Sequence, residues 1–367
     1  MTTSRPLNLV LCALFVLAAG PARASLVARE DVTLGTLCDR ADAAVIARVA
    51  AVTPSEVSLV VERALKGRPG AALTLPAGPV AFGAGERALV FLQRDRSPTG
   101  RRAGAWHALR SPYQKAVAPD AAAAAELADA VASRRATLGG DPRRLFDALF
   151  DQLSARLARV REDAAWDLVG LGAYQPDAAQ RRALRLALDA GANEPLLVLA
   201  ARWPAADLLG AALLAAQGQD PLLRRRAAEA LEAIDPLAAL RRVRADIQQP
   251  DPARAARAVA LAGALGSAST PVLASALLDA RAEVRREALS ALSRRELSPV
   301  EVSALAQHTY RATSFDEAAR ALAALALRGE AQALLDAERR HPDPATRDLA
   351  RELRAAPVLL SRRLLAD

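Results

Sequence analysis

Asp220-Pro221-Leu222-Leu223-Arg224-Arg225-Arg226-Ala227-Ala228-Glu229-Ala230-Leu231 decides the fold of more than half this chain. Leu223, Ala227, Ala230 and Leu231 stand at i, i+4, i+7 and i+8, one apolar stripe of an α-helix. The same phrase returns as Val284-Arg285-Arg286-Glu287-Ala288-Leu289-Ser290-Ala291-Leu292, after Asp279. Its closing leucine recurs at Leu231, Leu261, Leu292, Leu322 and Leu353, at spacings of 30, 31, 30 and 31. The register extends backward to Leu199 and Leu168. A fixed period of this length marks stacked helix pairs, because one pair cannot bury its apolar face alone. In the second repeat Arg257 takes the place of the stripe alanine, which predicts a rotated or locally exposed helix.

Helix starts are marked by a capping residue followed by proline: Asp220-Pro221, Asp235-Pro236, Asp251-Pro252, Thr270-Pro271, Ser298-Pro299 and Asp343-Pro344. The side-chain oxygen accepts an orphan N–H of the first turn, and proline at the first helical position loses no hydrogen bond. Leu237, Leu240 and Ile247 are expected to line one second helix, and Val272, Ala276 and Leu277 another.

These residues resemble the HEAT family in a short bacterial form. The resemblance implies a ladder of contacts between adjacent repeats through Asp220, Arg224, Asp251, Arg254, Asp279, Arg285, Asp343 and Arg347. Phe315-Asp316 stands where the fourth repeat should carry its Arg, so the ladder is expected to fail there.

Upstream the pattern is strand-like. Ala43–Val52, Ser58–Leu65, Ala72–Leu75 and Ala88–Leu92 are short β-rich runs separated by Gly and Pro, which predicts an antiparallel sheet or small barrel. Cys38-x-x-Ala41-Asp42-Ala43-Ala44-Val45, Val61-x-x-Ala64-Leu65-Lys66-Gly67 and Gly85-Glu86-x-x-Leu89-Val90-Phe91-Leu92 resemble the netrin-module and metalloprotease-inhibitor type of OB-fold. In the animal inhibitors an N-terminal Cys chelates the protease zinc. This chain has no Cys there, so the resemblance carries the fold and not the inhibition.

Residues 1–24 read as a signal peptide: Arg5, an apolar Leu7–Gly20, and Ala22-Arg23-Ala24 as an A-x-A cleavage site. The expected organisation is therefore a signal peptide at 1–24, a small β-barrel at 25–118, a connecting helix and linker at 119–140, and the α-solenoid at 141–367. No segment of the mature chain is long and apolar enough to span a bilayer. The expected location is secreted or periplasmic.

The net charge of +8 falls to +6 without Arg5 and Arg23, and nearly all of it is Arg spread through helices. Aromatics are only 3% of the chain, too few for the stacking platforms that accompany basic nucleic-acid surfaces, so no nucleic acid is expected. His107, His308 and His341 lie at no metal-ligand spacing, and Cys38 is the one cysteine after the leader. No catalytic, cofactor or metal residues are expected, and Cys38 reads as a buried small hydrophobe.

The function expected is an exported, non-catalytic protein-binding scaffold using the solenoid surface, with Arg241, Arg244 and Glu301 as exposed partner-contacting residues. Two alternatives are a modulator or inhibitor of exported proteases acting through the β domain, and an enzyme resembling the HEAT-like lyases that attach bilins. Those lyases are cytoplasmic, and the leader argues against them.

Overall fold

The computed structural model describes residues 33–77, 81–95, 105–109, 115–137 and 141–366. The leader, its cleavage site and the Gly139-Gly140 break lie outside them. The chain forms two compact units, 1–187 and 188–367.

The first unit opens with α1 (Leu34–Arg40), then β1 (Ala43–Val52), β2 (Glu56–Lys66), β3 (Ala72–Pro76), β4 (Arg87–Arg94), β5 (Trp106–Ala108) and β6 (Lys115–Val117). The antiparallel sheet runs β3-β2-β1-β4-β5, with β6 on β4. β3 and β5 approach one another and nearly close an OB-like barrel. Irregularities in the β1–β2 register between Ala44/Val45, Ile46/Ala47 and Val49/Ala51 supply the coiling that closure needs.

β1 is apolar without alternation because both its faces are covered. Ala43, Val45, Ala47 and Val49 face the barrel interior with Leu59, Leu75 and Val90. Ala44 and Ile46 join an outer core with Leu37, Cys38, Phe91 and α2 (Ala121–Thr137), which contributes Leu127 and Val131. Cys38 is fully buried there, and burial pushes its thiol pKa up. The Lys66-Gly67 pair has a structural use. Lys66 Nζ donates to the carbonyls of Cys38 and Asp39, at 2.7 and 3.2 Å, at the C-terminal end of α1. Gly67 turns the chain at φ +72°, where a Cβ would lie 2.7 Å from the Asp42 carbonyl oxygen.

Three helices complete the unit and reach its boundary: α3 (Pro142–Gln152), α4 (Ala158–Gly170) and α5 (Ala178–Ala190). Packing divides the chain near 187, because Val160 of α4 enters the core shared by α1, α2 and the barrel wall.

The second unit is wholly helical. It comprises α6 (Glu194–Arg202), α7 (Leu209–Ala216), α8 (Pro221–Ile234), α9 (Pro236–Ile247), α10 (Pro252–Ala264), α11 (Thr270–Ala276) and α12 (Ala282–Ser293). Then come α13 (Pro299–Arg311), α14 (Phe315–Leu327), α15 (Ala331–Arg340), α16 (Pro344–Ala355) and α17 (Pro357–Ala366). First helices stack on first helices, α6 on α8, α8 on α10, α10 on α12, α12 on α14 and α14 on α16, in a repeat-like array.

Asp220, Asp235, Asp251, Ser298 and Asp343 each accept a first-turn N–H, as their proline-following positions predict. Thr270 differs: a 3₁₀ turn over Ser267–Ser269 runs into α11, and Thr270 is its first helical residue. Leu168, Leu199, Leu231, Leu261, Leu292, Leu322 and Leu353 are all buried.

The helix caps refine the register. Ala227, Ala258 and Ala288 each lie seven residues beyond the caps Asp220, Asp251 and Arg281, and all three are buried. The alanine of the second repeat is therefore Ala258, and Arg257 stands beside the stripe. Close approach follows from the small residues, since a Cβ on Gly263 of α10 would meet Ala291 Cβ of α12 at 2.5 Å.

Candidate functional site

Three groups of side chains compete for a functional reading. The first joins the repeats. Arg226 of α8 donates to Glu194 of α6 at 3.3 Å, and Arg285 of α12 to Glu317 of α14 at 2.8 and 3.2 Å, each partner 32 residues away. His341 Nε2 lies 3.1 Å from the Thr309 carbonyl, also 32 residues away. Arg281 donates to the carbonyls of Ile247 and Gln249 on the preceding repeat. These separations of 32 and 34 lie slightly above the 30–31-residue spacing of the leucines, so the contacts join neighbouring repeats.

The expected ladder is realised only in part. Arg254 reaches Asp246 of α9 at 2.7 Å, and Arg285 reaches Glu317. Asp220, Asp251 and Asp343 instead direct their carboxylates at their own first turns. Asp279 binds Arg281 within its own loop, which lowers its pKa, and Arg347 donates to the carbonyls of His341 and Pro342. Arg224 enters no side-chain hydrogen bond or ion pair among the described residues. The residues that do cross, Arg226 and Glu194, escaped a periodic reading because each looks like ordinary helix-surface charge until its neighbour is known.

Buried groups that touch these links explain two histidines. His308 is buried 3.9 Å from Glu317, and burial lowers its pKa. Burial pushes Glu317 up, but the hydrogen bonds from Arg285 and from Thr313 N–H, together with the Arg285 charge, outweigh it and the pKa ends lowered. Among the described residues no group of His, Cys, Asp and Glu could hold a metal ion.

The second group is a carboxylate pair on α4. Asp163 accepts from Leu34 N–H at 2.9 Å and from Arg159 at 2.6 Å, and Asp167 accepts from the Thr33 hydroxyl at 2.8 Å. Burial raises both from 3.8 to about 6. Such perturbed pairs are common in active sites. Here the adjoining cavity is only about 10 Å³, enough for no more than a water, and Gly35 has no room for a Cβ beside Asp167. The pair docks α1.

Its cost has a pH signature. The folded pKa values lie above the unfolded ones, so the folded state binds protons more tightly and stability rises as pH falls from about 6 through 3.8. The ceiling is roughly 3 kcal/mol per group. We expect wild type to gain on the Asp163→Asn and Asp167→Asn variants between about pH 8 and about pH 4 in paired urea titrations. An unchanged difference across that range would refute the assignment.

The third group is the outer surface of the array. Leu237, Arg241 and Arg244 of α9 stand at i, i+4 and i+7, and all are exposed. Leu237 was expected in the core. Ala239, Leu240 and Val243 fill that role, and Leu237 is 62% exposed. Arg244 also lines an open groove of about 460 Å³ between α9 and α11, with Ile247, Val272, Asp279 and Arg281. On α13 Val300, Ser303, Gln307 and Tyr310 form a comparable exposed row. Glu301, expected on the partner face, is fully buried. Its carboxylate completes a capping box with Ser298 and faces Arg295 at 3.4 Å, so it is not a surface residue.

On the other side of α9 lies a smaller cavity of about 260 Å³ between α7, α9 and α10, lined by Gln217, Arg242, Asp246, Arg254 and Arg257 among apolar neighbours. Asp246 accepts from Arg242 at 3.1 Å, from Arg254 at 2.7 Å and, more weakly, from Gln217 at 3.5 Å.

No family model matches the chain, and no curated protein matches it. Among solved structures, it is similar to the X-ray structure of YIBA_ECOLI, a Northeast Structural Genomics Consortium target, at 11% identity over 60% of this chain and 90% of that one. The TM-score is 0.26, too low for fold or function to follow from it.

Proposed function

We propose that this protein is an exported, non-catalytic scaffold that binds a protein partner on the second-helix surface of a HEAT-type solenoid. The row Leu237, Arg241 and Arg244, bordering the groove at α9 and α11, carries the reading. It joins an exposed apolar side chain to two exposed arginines, a composition enriched where proteins meet. Repeat arrays present such surfaces because only their inner stripes are needed for stacking. Links at 32 residues support the HEAT-type assignment, and the order β3-β2-β1-β4-β5 supports the netrin-like reading of the barrel. Export is supported by Arg5, the apolar Leu7–Gly20 and Ala22-Arg23-Ala24.

Charge reversal separates binding from stability. Arg241→Glu with Arg244→Glu should leave the circular-dichroism melt within a degree or two, since both side chains are exposed. Capture of a partner from envelope extract by the full chain should weaken by about tenfold or more. Undiminished capture would exclude this face, and no capture by the wild type would exclude the scaffold reading.

A further inference from the structure

The cavity between α7, α9 and α10 carries more positive charge than its structure uses. Its lining holds three guanidinium groups, Arg242, Arg254 and Arg257, and one carboxylate, Asp246. Asp246 has a side chain only 9% exposed, and both its oxygens are already engaged by Arg242 and Arg254. Two positive charges are left over.

Arg257 is the uncompensated one. It lies six residues past its helix cap Asp251, as Arg226 does past Asp220. Arg226 finds Glu194 on the neighbouring repeat, 32 residues back. The residue 32 back from Arg257 is Arg225, a base that pairs with Glu229 in its own helix. No carboxylate is supplied to Arg257 among the described residues, so this repeat keeps its stripe alanine, Ala258, but departs from the ion-pair pattern.

Arg254 also lines the cavity, and its Nη2 bond to Asp246 fixes the guanidinium at the wall. An arginine fork presents parallel N–H groups that match the paired oxygens of carboxylate or phosphate. The cavity volume of about 260 Å³ suits a small ion and is below the range of drug-sized pockets.

We propose that this cavity is a binding site for a small dianionic oxyanion, held by Arg257 and Arg254 with Arg242 adding charge. Asp246 positions Arg254 and Arg242, and its carboxylate sets the selectivity for ligands of double charge, since a single charge would leave the cavity positive. The site is independent of the partner surface, because Arg241 and Arg244 lie on the exposed row and do not line it.

Calorimetric titration of the full chain with succinate and, separately, with inorganic phosphate tests this at low ionic strength, with sodium chloride of equal ionic strength as the blank. Saturable binding of at least one oxyanion is expected, and the tighter of the two assigns the site to carboxylate or to phosphoryl chemistry. Arg257→Gln should weaken that binding at least about tenfold, the loss of one charged hydrogen-bonding group. Arg225→Gln, whose residue does not line the cavity, should bind as the wild type does. Among the described residues Arg257 takes no part in an ion pair, so its replacement should leave the fold intact, which a matching melt checks. No saturable binding by the wild type, or undiminished binding by Arg257→Gln, overturns the proposal.

Discussion

Arg285→Ala should destabilise the helical array by about 3–5 kcal/mol, the cost of leaving one member of a buried ion pair without its partner. The Arg285 and Glu317 side chains are each about 10% exposed. Arg285 also donates to the Asp279 and Ala280 carbonyls and to the Thr313 hydroxyl, so a single truncation orphans acceptors in two repeats. Glu317 would remain charged beside the neutral, buried His308. Urea denaturation of Arg285→Ala, Glu317→Gln and the double variant forms the cycle that isolates the pair. The double variant should cost less than the sum of the singles, because neither charge is then stranded. Because the Glu317 pKa is lowered on folding, its contribution is present above its ordinary 4.5 and fades as pH falls through the folded value, so the wild-type advantage should shrink on acidification. A loss below about 1 kcal/mol for Arg285→Ala would show that the link is ornamental.

Leu292→Ala should cost roughly 2–5 kcal/mol, the transfer of a buried leucine plus the cavity it leaves. Leu292 is fully buried on α12, between the stacked first helices α10 and α14. Each repeat contacts chiefly its neighbours, so the damage should stay local. Hydrogen exchange should accelerate in α10, α12 and α14 while the barrel amides keep their protection, and thermal unfolding should depart from two-state form. A variant as stable as the parent would remove the register on which the array rests.

The array was legible because its signals are periodic and local. A capping side chain followed by proline acts within four residues, and a stripe of alanine and leucine acts within one helix, so both can be read without knowing any neighbour. The β runs were equally plain: Ala43–Val52 is an observed strand from end to end. β5 and β6, three residues each, were too short to carry a pattern. What stayed hidden depends on distant partners. Asp163 and Asp167 look like ordinary charge on a helix until α1 covers them. Glu301 looks like surface charge, although Ser298 three residues earlier spelled a capping box that could have placed it inward. The cavity left one trace, Arg257 where an alanine was expected, whose chemical meaning needed the helix caps to be aligned.

The docking of α1 onto α4 constrains how the chain can be made. The Thr33 hydroxyl finds its acceptor, Asp167, 134 residues later in the chain. At a synthesis rate of about 5–20 residues per second, Thr33 waits roughly 7–27 s for that acceptor to exist. Until then α1 lacks the side chains that receive its first N–H and its capping hydroxyl, although α2 and Val160, which cover the apolar outer wall of β1 and β4, emerge earlier. The barrel is consequently not a cassette that can be cut out before the helices begin. A graft ending near residue 118 would carry an uncovered wall that includes Ile46 and Phe91, a surface prone to self-association.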